Sequence, residues 1–466
     1  MKAVLAAAVL LAFMPPVHAQ DKGKSDMTMN GEFRVRDVFE QNEAGNSSAQ
    51  PAHHNGVEQR FKMGMGWKAN EKFSFNATLL QGATWGQPDN TTMVGDRASN
   101  ETGTNGPTTG DNRNFLGVNE AYATWMMTDM FHAKFGRMNY AFGDGSVMSV
   151  NDYQPQPYSF DGVTLNYELE FGKFTLFGFK YRDFSTTPAT PATTSDPQHD
   201  AYGLVFDLKT MPDWLKMVNA HVIQDTADAV WGGTDTGVMS TTKGNVNALR
   251  YGVGAGFNWG LVDLSADAEM VTGKTSAASG TGATPATGDT KLSQSMYQAQ
   301  LGFNLPNLMM SRIYVGYHTD SGTSNSDKTA GKNNTYDGYF HDLYSGSGNM
   351  QLVGWGNLTD ITAGWTVKPM DTTTVGLAYH KFTKTNSEDR VNAGVYGAAL
   401  FPAGANTATN SSIGSEIDLW AEHKYEGGLS MMANIGMFSP DSALKDTTIN
   451  KTSTITQVTV AGKFTF

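Results

Sequence analysis

The chain has 466 residues, a formal net charge of −12 at pH 7, 17% charged residues and no cysteine. The negative balance removes the electrostatic basis for nucleic-acid binding, and the lack of thiols excludes disulfides, cysteine-ligated metals and thiol catalysis. Aromatics reach 11% with 51 glycines while mean hydropathy stays at −0.37, a mixture given by many half-apolar strands joined by polar loops.

Residues 1–19 read as a secretory signal. Lys2 supplies the basic start, Ala3 to Met14 the short apolar core, and Val17-His18-Ala19 the small residues of a cleavage site. The mature chain is expected to begin at Gln20 and to form one domain over 20–466. No later apolar run approaches the roughly 20 residues a membrane-spanning helix requires. The few residues from Gln20 to Asp26 are expected to leave no room for a plug domain.

Amphipathic alternation predicts strands near 27–38, 57–68, 73–84, 116–127, 130–137, 158–169, 172–184, 200–209, 217–226, 246–259, 261–271, 295–304, 310–319, 357–367, 371–383, 413–426, 428–439 and 454–466. That is about 18 strands, an even number, as single-chain bacterial outer-membrane barrels have. The connections alternate between short turns, such as Ala69–Glu71, Thr128–Asp129, Glu170–Phe171, Gly260 and Gly427, and long Gly/Asn/Thr/Ser/Asp-rich loops, such as 85–115, 226–245, 272–294, 320–356 and 384–412. Short turns on the periplasmic side and long loops outside are the outer-membrane pattern. Trp67, Trp125, Trp214, Trp259 and Trp365 lie beside the short turns, where an aromatic girdle belongs. The expected fold is therefore an all-β transmembrane antiparallel barrel.

Within these strands Phe61, Met63, Met65 and Trp67 oppose Glu58, Arg60 and Lys62, and Leu249, Tyr251, Val253 and Phe257 alternate with Arg250, Gly252, Gly254 and Asn258. Charge on the lipid face costs about 2–4 kcal/mol at the midplane. The charged set is therefore expected to line the interior. The basic members are Arg34, Arg36, Arg60, Lys62, Lys134, Lys180, Arg182, Arg250 and Arg312; Asp263, Asp267 and Glu269 form one acidic stripe, and Glu416, Asp418 and Glu422 another. Opposed charges across a narrow wet pore set up a transverse field that orients dipolar solutes.

The segment Gly136-Arg137-Met138-Asn139-Tyr140-Ala141-Phe142-Gly143-Asp144-Gly145, continuing to Tyr158-Ser159-Phe160-Asp161-Gly162-Val163, resembles the third loop region of the alginate-export family of outer-membrane porins; Gly31-Glu32-Phe33-Arg34-Val35-Arg36 fits as well. The resemblance is strong over about 30 residues and implies an 18-stranded channel, a monomer rather than a trimer. It also implies that 138–157 folds inward as the constriction, with Arg137, Asp144, Asn151, Asp152 and Tyr153 at the narrowing. An alginate channel wants a strongly basic constriction, and the acidic stripes point instead to a general or sugar-type porin.

The chain ends in Thr454 to Phe466, where Val458, Val460, Gly462, Phe464 and Phe466 share one face and Gln457, Thr459, Ala461, Lys463 and Thr465 the other. A last amphipathic strand closing on Phe resembles the signal read by the barrel-assembly machinery. The expected function is an outer-membrane porin, a water-filled passive channel for ions and small hydrophilic solutes such as sugars or oligosaccharides. Two alternatives stay open: an alginate-type polysaccharide export channel, and a closed-barrel adhesin or structural protein. No G-x-S-x-G-like nucleophile motif stands out, so no enzyme is expected. The oxygen-rich residues Asp144, Asn151 and Asp152 and the run 325–337 lack EF-hand spacing, and no metal or cofactor is expected. The expected partners are outer-membrane lipid and lipopolysaccharide, the assembly machinery and small solutes, with no nucleic acid.

Overall fold

In lipid there is no water to satisfy a free backbone N–H or C=O, so a sheet can cross a bilayer only if it closes on itself. The computed structural model describes residues 26–42, 53–85, 115–183, 198–227, 243–277, 289–338, 340–342, 347–396, 400–401, 410–445 and 450–466, and within them the sheet closes. Eighteen long strands follow in chain order: β1 (Asp26–Gln41), β2 (His53–Lys68), β3 (Phe73–Thr84), β4 (Phe115–Met126), β5 (Phe131–Met138), β6 (Phe160–Glu168), β7 (Gly172–Asp183), β8 (Gln198–Leu208), β9 (Leu215–Ala227), β10 (Lys243–Trp259), β11 (Val262–Ala277), β12 (Thr290–Leu305), β13 (Ser311–Asp320), β14 (Leu358–Met370), β15 (Thr373–Lys384), β16 (Ser412–Lys424), β17 (Leu429–Pro440) and β18 (Ile455–Thr465). Each pairs antiparallel with the next, and β18 returns to β1 in a register running from Glu32↔Thr465 to Gln41↔Thr456. The signal region 1–19 lies outside the described residues.

The period-two pattern sorts the faces as its polarity requires. Along β18, Gln457 and Thr459 are buried inside the barrel while Val460 and Phe464 are exposed on its outer wall. Val253, Leu301, Val315, Ile361 and Leu419 stand on the same outer wall. All short turns lie at one end, where Trp125, Trp214, Trp259, Trp365, Phe171 and Tyr425 are exposed. Rings at this end also stack in pairs, among them Trp67 with Phe75 at 5.5 Å and Phe73 with Trp125 at 5.8 Å between centroids. Gly260 turns β10 into β11 at φ +73°, a backbone state that a side chain disfavours.

Three features depart from the sequence reading. First, several strands run further toward the long-loop end than alternation indicates: β11 continues to Ala277 rather than 271, and β12 begins at Thr290 rather than 295. Beyond the lipid both faces are wet, so the alternation fades while the hydrogen-bond ladder continues. Second, β7 is inverted relative to expectation. Phe177 and Phe179 are buried inside and Leu176 is exposed outside, which puts Lys180 on the outer wall, in register with Asp161 and Asp200. Near the membrane rim an outward charge costs only about 0–1 kcal/mol, so the rule that charge must face inward loses its force there. Third, the described parts of the connections 321–357 and 385–411 do not simply extend outside. They fold into the barrel, and Val353–Gly354 pairs with Asn392–Ala393 as a small separate sheet. Their Leu352, Val353, Trp355, Val391 and Leu400 join the same buried cluster as Met138, Phe160, Phe177 and Phe179 of the wall.

The closure itself is testable. Gly31 and Phe466 exchange backbone hydrogen bonds, N to O 2.8 Å and 3.1 Å, and a Cβ on Gly31 would fall 2.2 Å from the Phe466 ring. Phe466→Asp is expected to remove most of the heat-modifiable folded form from outer-membrane extracts, read as the gel shift between unheated and boiled samples. A normal shift at wild-type abundance would show that the terminal ring does not matter.

Candidate channel constriction

Eighteen strands enclose more space than wall side chains fill, so what narrows the bore must come from connections. The segment 139–159, between β5 and β6, folds inward and is gripped by four cations on the inward faces of β1 and β2. The guanidinium of Arg34 donates to the carbonyls of Asp152, Tyr153 and Gln154 at 3.0, 2.7 and 3.1 Å. Arg36 donates to the Tyr153 carbonyl at 2.9 Å and lies over its ring at 3.9 Å. Arg60 donates to the carbonyls of Asp152 and Gln154 and to the Asp152 carboxylate, and Lys62 pairs with that same carboxylate. The side chains of Arg36 and Arg60 are only 1% exposed. Buried cations on this scale persist only when fully hydrogen-bonded; Glu58 pairs with Arg36, and Glu32 with Arg60, to complete their shells.

The same segment touches the far wall. The Asp144 carboxylate caps Ser146 N at 2.9 Å and accepts from Gln298 of β12 at 2.9 Å. Asn151 is buried at φ +51°, a left-handed turn state that Asn tolerates, and sits within the segment rather than on its surface. The segment's apolar side packs on the wall through Tyr140 against Phe177 and Phe179. It is tied to 340–342 by Ser149 N to Phe340 O at 2.7 Å and Phe340 N to Val147 O at 3.1 Å.

The second inward segment, 321–357, is held by the acidic residues. Glu269 is buried, accepts from the Tyr336 hydroxyl, and lies 3.5 Å from Arg250. Arg250 in turn donates to the Asp337 carbonyl at 3.0 Å and lies 3.6 Å from Asp225. Glu416 accepts from Met350 N at 2.9 Å, and Asp418 from Asn349 N at 3.3 Å. Asp320 receives Gly356 N and Leu358 N at 2.9 and 2.6 Å. Sequence reasoning missed Glu32, Glu58, Asp320 and Gln298 as anchors, although their positions on the inward faces of β1, β2, β13 and β12 were readable.

The expected lining residues thus divide. Arg34, Arg36, Arg60 and Lys62 meet Asp152 and Tyr153 as one contact. Glu269, Glu416, Asp418 and Arg250 face inward but are buried under 321–357 rather than bordering a wet bore, because that segment fills the space in front of them. Asp267 faces inward, mostly buried, beside Asn219 and Gly254. Toward the short-turn end, Arg312 and Asp263 pair at 2.6 Å and stay partly exposed, as do Lys134, 5.3 Å from the Tyr122 ring, and Glu422. Arg137 is a correction like Lys180. It lies on the outer wall, 3.5 Å from Asp161, since Met138 beside it turns inward to pack on Phe160. The Arg182 side chain falls outside the described residues.

The model of the alginate export family matches residues 27–457. No curated protein matches the chain by sequence. Among solved structures, OprD of Pseudomonas aeruginosa is similar with a TM-score of 0.56 at 10% identity, covering 96% of each chain. OccK8 (OprE) of the same organism gives 0.55 at 12% identity, covering 95% of this chain and 98% of that one. OpdK, solved with vanillate, gives 0.55 at 11%, covering 94% and 98%. At these identities the likeness speaks for the fold.

The grip on 152–154 has a pH sign. Burial pushes the Asp152 carboxyl up, but Arg60 and Lys62 pull it further down, so it sits below the ordinary carboxylate range. A depressed carboxylate contributes fully above its unfolded value of about 3.9, and the contribution is lost as pH falls through the folded value. Single-channel current is expected to become noisier and larger as pH falls below about 4. Asp152→Asn is expected to show that behaviour already at neutral pH. A variant with wild-type current at pH 7 would show that the segment is held without this carboxylate.

Proposed function

The chain belongs to the alginate export family and forms an outer-membrane β-barrel channel, and on that premise we propose that it passes small hydrophilic solutes by diffusion with weak charge preference. The observation that carries the reading is the state of the cationic wall on β1 and β2. Arg34, Arg36 and Arg60 are taken up by the chain's own carbonyls, Lys62 by the Asp152 carboxylate, and three carboxylates, Glu32, Glu58 and Asp152, pair with the group. Three carboxylates against four cations leave a single net positive charge at the contact. A polyuronate running through the bore would need free cations in a continuous track, and here each guanidinium already holds two or more acceptors.

Three inward segments sharing one apolar cluster with the wall also suit compact solutes better than a polymer. The family's own description favours a second reading, export of an anionic polysaccharide, in which 139–159 would have to leave its arginines to expose them. That release would forfeit charge-assisted hydrogen bonds worth roughly 1.5–3 kcal/mol each.

Planar-bilayer recording separates the readings. The purified protein is expected to conduct KCl, with a reversal potential near zero in a salt gradient, and liposomes carrying it are expected to swell in mono- and disaccharides. Mannuronate oligomers are expected to leave the current unblocked. Block by oligomers at micromolar concentration would transfer the case to export, and a folded barrel without conductance would make it a closed surface protein.

A further inference from the structure

On the outer wall, at the long-loop end, three lysines stand side by side across adjoining strands. Lys274 of β11 is in register with Lys291 of β12, and Lys291 is in register with Lys332 of the two-residue strand Lys332–Asn333, which continues the sheet beyond the end of β13 in parallel with β12. Asn247 of β10 extends the row on the other side. The register fixes the face. Val271 and Leu292 turn inward and are buried, so Lys274, Lys291 and Lys332 turn outward, and all three are exposed. The row borders an open depression of about 610 Å³, lined by Asn247, Lys274, Lys291, Ser293, Lys332 and Asn334. Gly273 and Leu292 complete its lining.

Like charges directly opposite one another on neighbouring strands repel. Elsewhere on the outer wall such cations are met by carboxylates: Arg137 by Asp161 at 3.5 Å, and Lys381 by Asp441 at 2.9 Å. In the lysine row, Asp289 reaches Lys274 at 2.9 Å and Asp327 reaches Lys332 at 3.2 Å, one at each end. The central ammonium of Lys291 has no carboxylate in ion-pair range among the described residues. The centre of the row thus suits an anion, with the amides of Asn247 and Asn334 and the Ser293 hydroxyl around it.

The height of the row identifies the anion's source. The last outward apolar residues below it are Met270 on β11 and Tyr297 on β12. At about 3.3 Å per residue the lysines stand roughly 13–20 Å further along their strands, or on the order of 10–15 Å above the apolar band once strands tilt by 35–45°. That is the level of lipid headgroups in the outer leaflet, and the row faces away from the bore, where a transported solute would pass. We propose that Lys274, Lys291 and Lys332 form a docking site for the phosphorylated glycan headgroup of an outer-leaflet glycolipid of the lipopolysaccharide type. The proposal rests on the barrel's place in the outer membrane and not on the solute it passes.

The test uses the full barrel, delipidated in mild detergent and titrated with bisphosphorylated lipid A, with bound lipid counted by native mass spectrometry. Lys274→Gln/Lys291→Gln/Lys332→Gln is expected to weaken binding about tenfold or more, at roughly the cost of surface cations near an anionic headgroup. Lys381→Gln is expected to bind as wild type, and conductance is expected to be the same in all three proteins. Lys291→Gln alone carries the test if the triple variant loses its heat-modifiable fold. Dephosphorylated lipid A is expected to bind the wild type no better than the triple variant. Equal binding of bisphosphorylated lipid A by wild type and variant would overturn the site. Inorganic phosphate displacing the lipid at equal concentration would show a free-anion site instead and overturn the lipid assignment.

Discussion

Backbone hydrogen bonding in a solvent without water is the constraint from which the rest of this structure follows. It forbids an open edge, so β18 must come back to β1, and the Gly31–Phe466 exchange is where the ring shuts. Closure at eighteen strands then creates a second problem, an interior too wide for wall side chains to fill. The answer is to send connections inward. Once polypeptide enters the bore, its own backbone groups need partners, and the inward-facing charges of the wall supply them. The arginines of β1 and β2 take the carbonyls of 152–154, while Glu416, Asp418 and Asp320 take the amides of 349, 350, 356 and 358. On β1 and β2 the wall's donors meet acceptors of one segment, while on β13 and β16 its acceptors meet donors of the other.

The barrel was legible in the sequence because a strand exposed to lipid on one side and to polar interior on the other must alternate, and Val253, Leu301 and Phe464 record that alternation directly. Turn positions were legible for the related reason that aromatic rings gather at the interface beside them. What the pattern could not carry was the destination of the long connections. The 321–357 run has the Ser/Asn/Asp/Gly content of a solvated loop, and its buried apolar members, among them Tyr336, Met350, Leu352, Val353 and Trp355, follow no regular period. Their burial depends on wall residues more than sixty positions away in sequence, such as Glu416. The misplacement of Lys180 and Arg137 has the same origin. The argument from lipid-face cost is valid at mid-membrane, and both residues lie near the rim, where Phe177, Phe179 and Met138 are drawn inward by the packed segment and their charged neighbours turn out by parity.

The anchoring of 139–159 also separates two roles that are often carried by the same side chains. Arg34 and Arg36 bind main-chain carbonyls, so what they recognise is the path of the chain through 152–154, whatever side chains it presents. Only Asp152 and Tyr153 are engaged there through their side chains. The path of the chain is thereby held with little dependence on the side chains it carries at 152–154. The design has a cost. Arginines spent on carbonyls cannot also present bare charge to a solute, so a wall that holds its constriction this tightly gives up strong electrostatic selection at the same point. Under the proposed reading, selection between solutes then falls to size and to the polar groups the segment turns toward the bore.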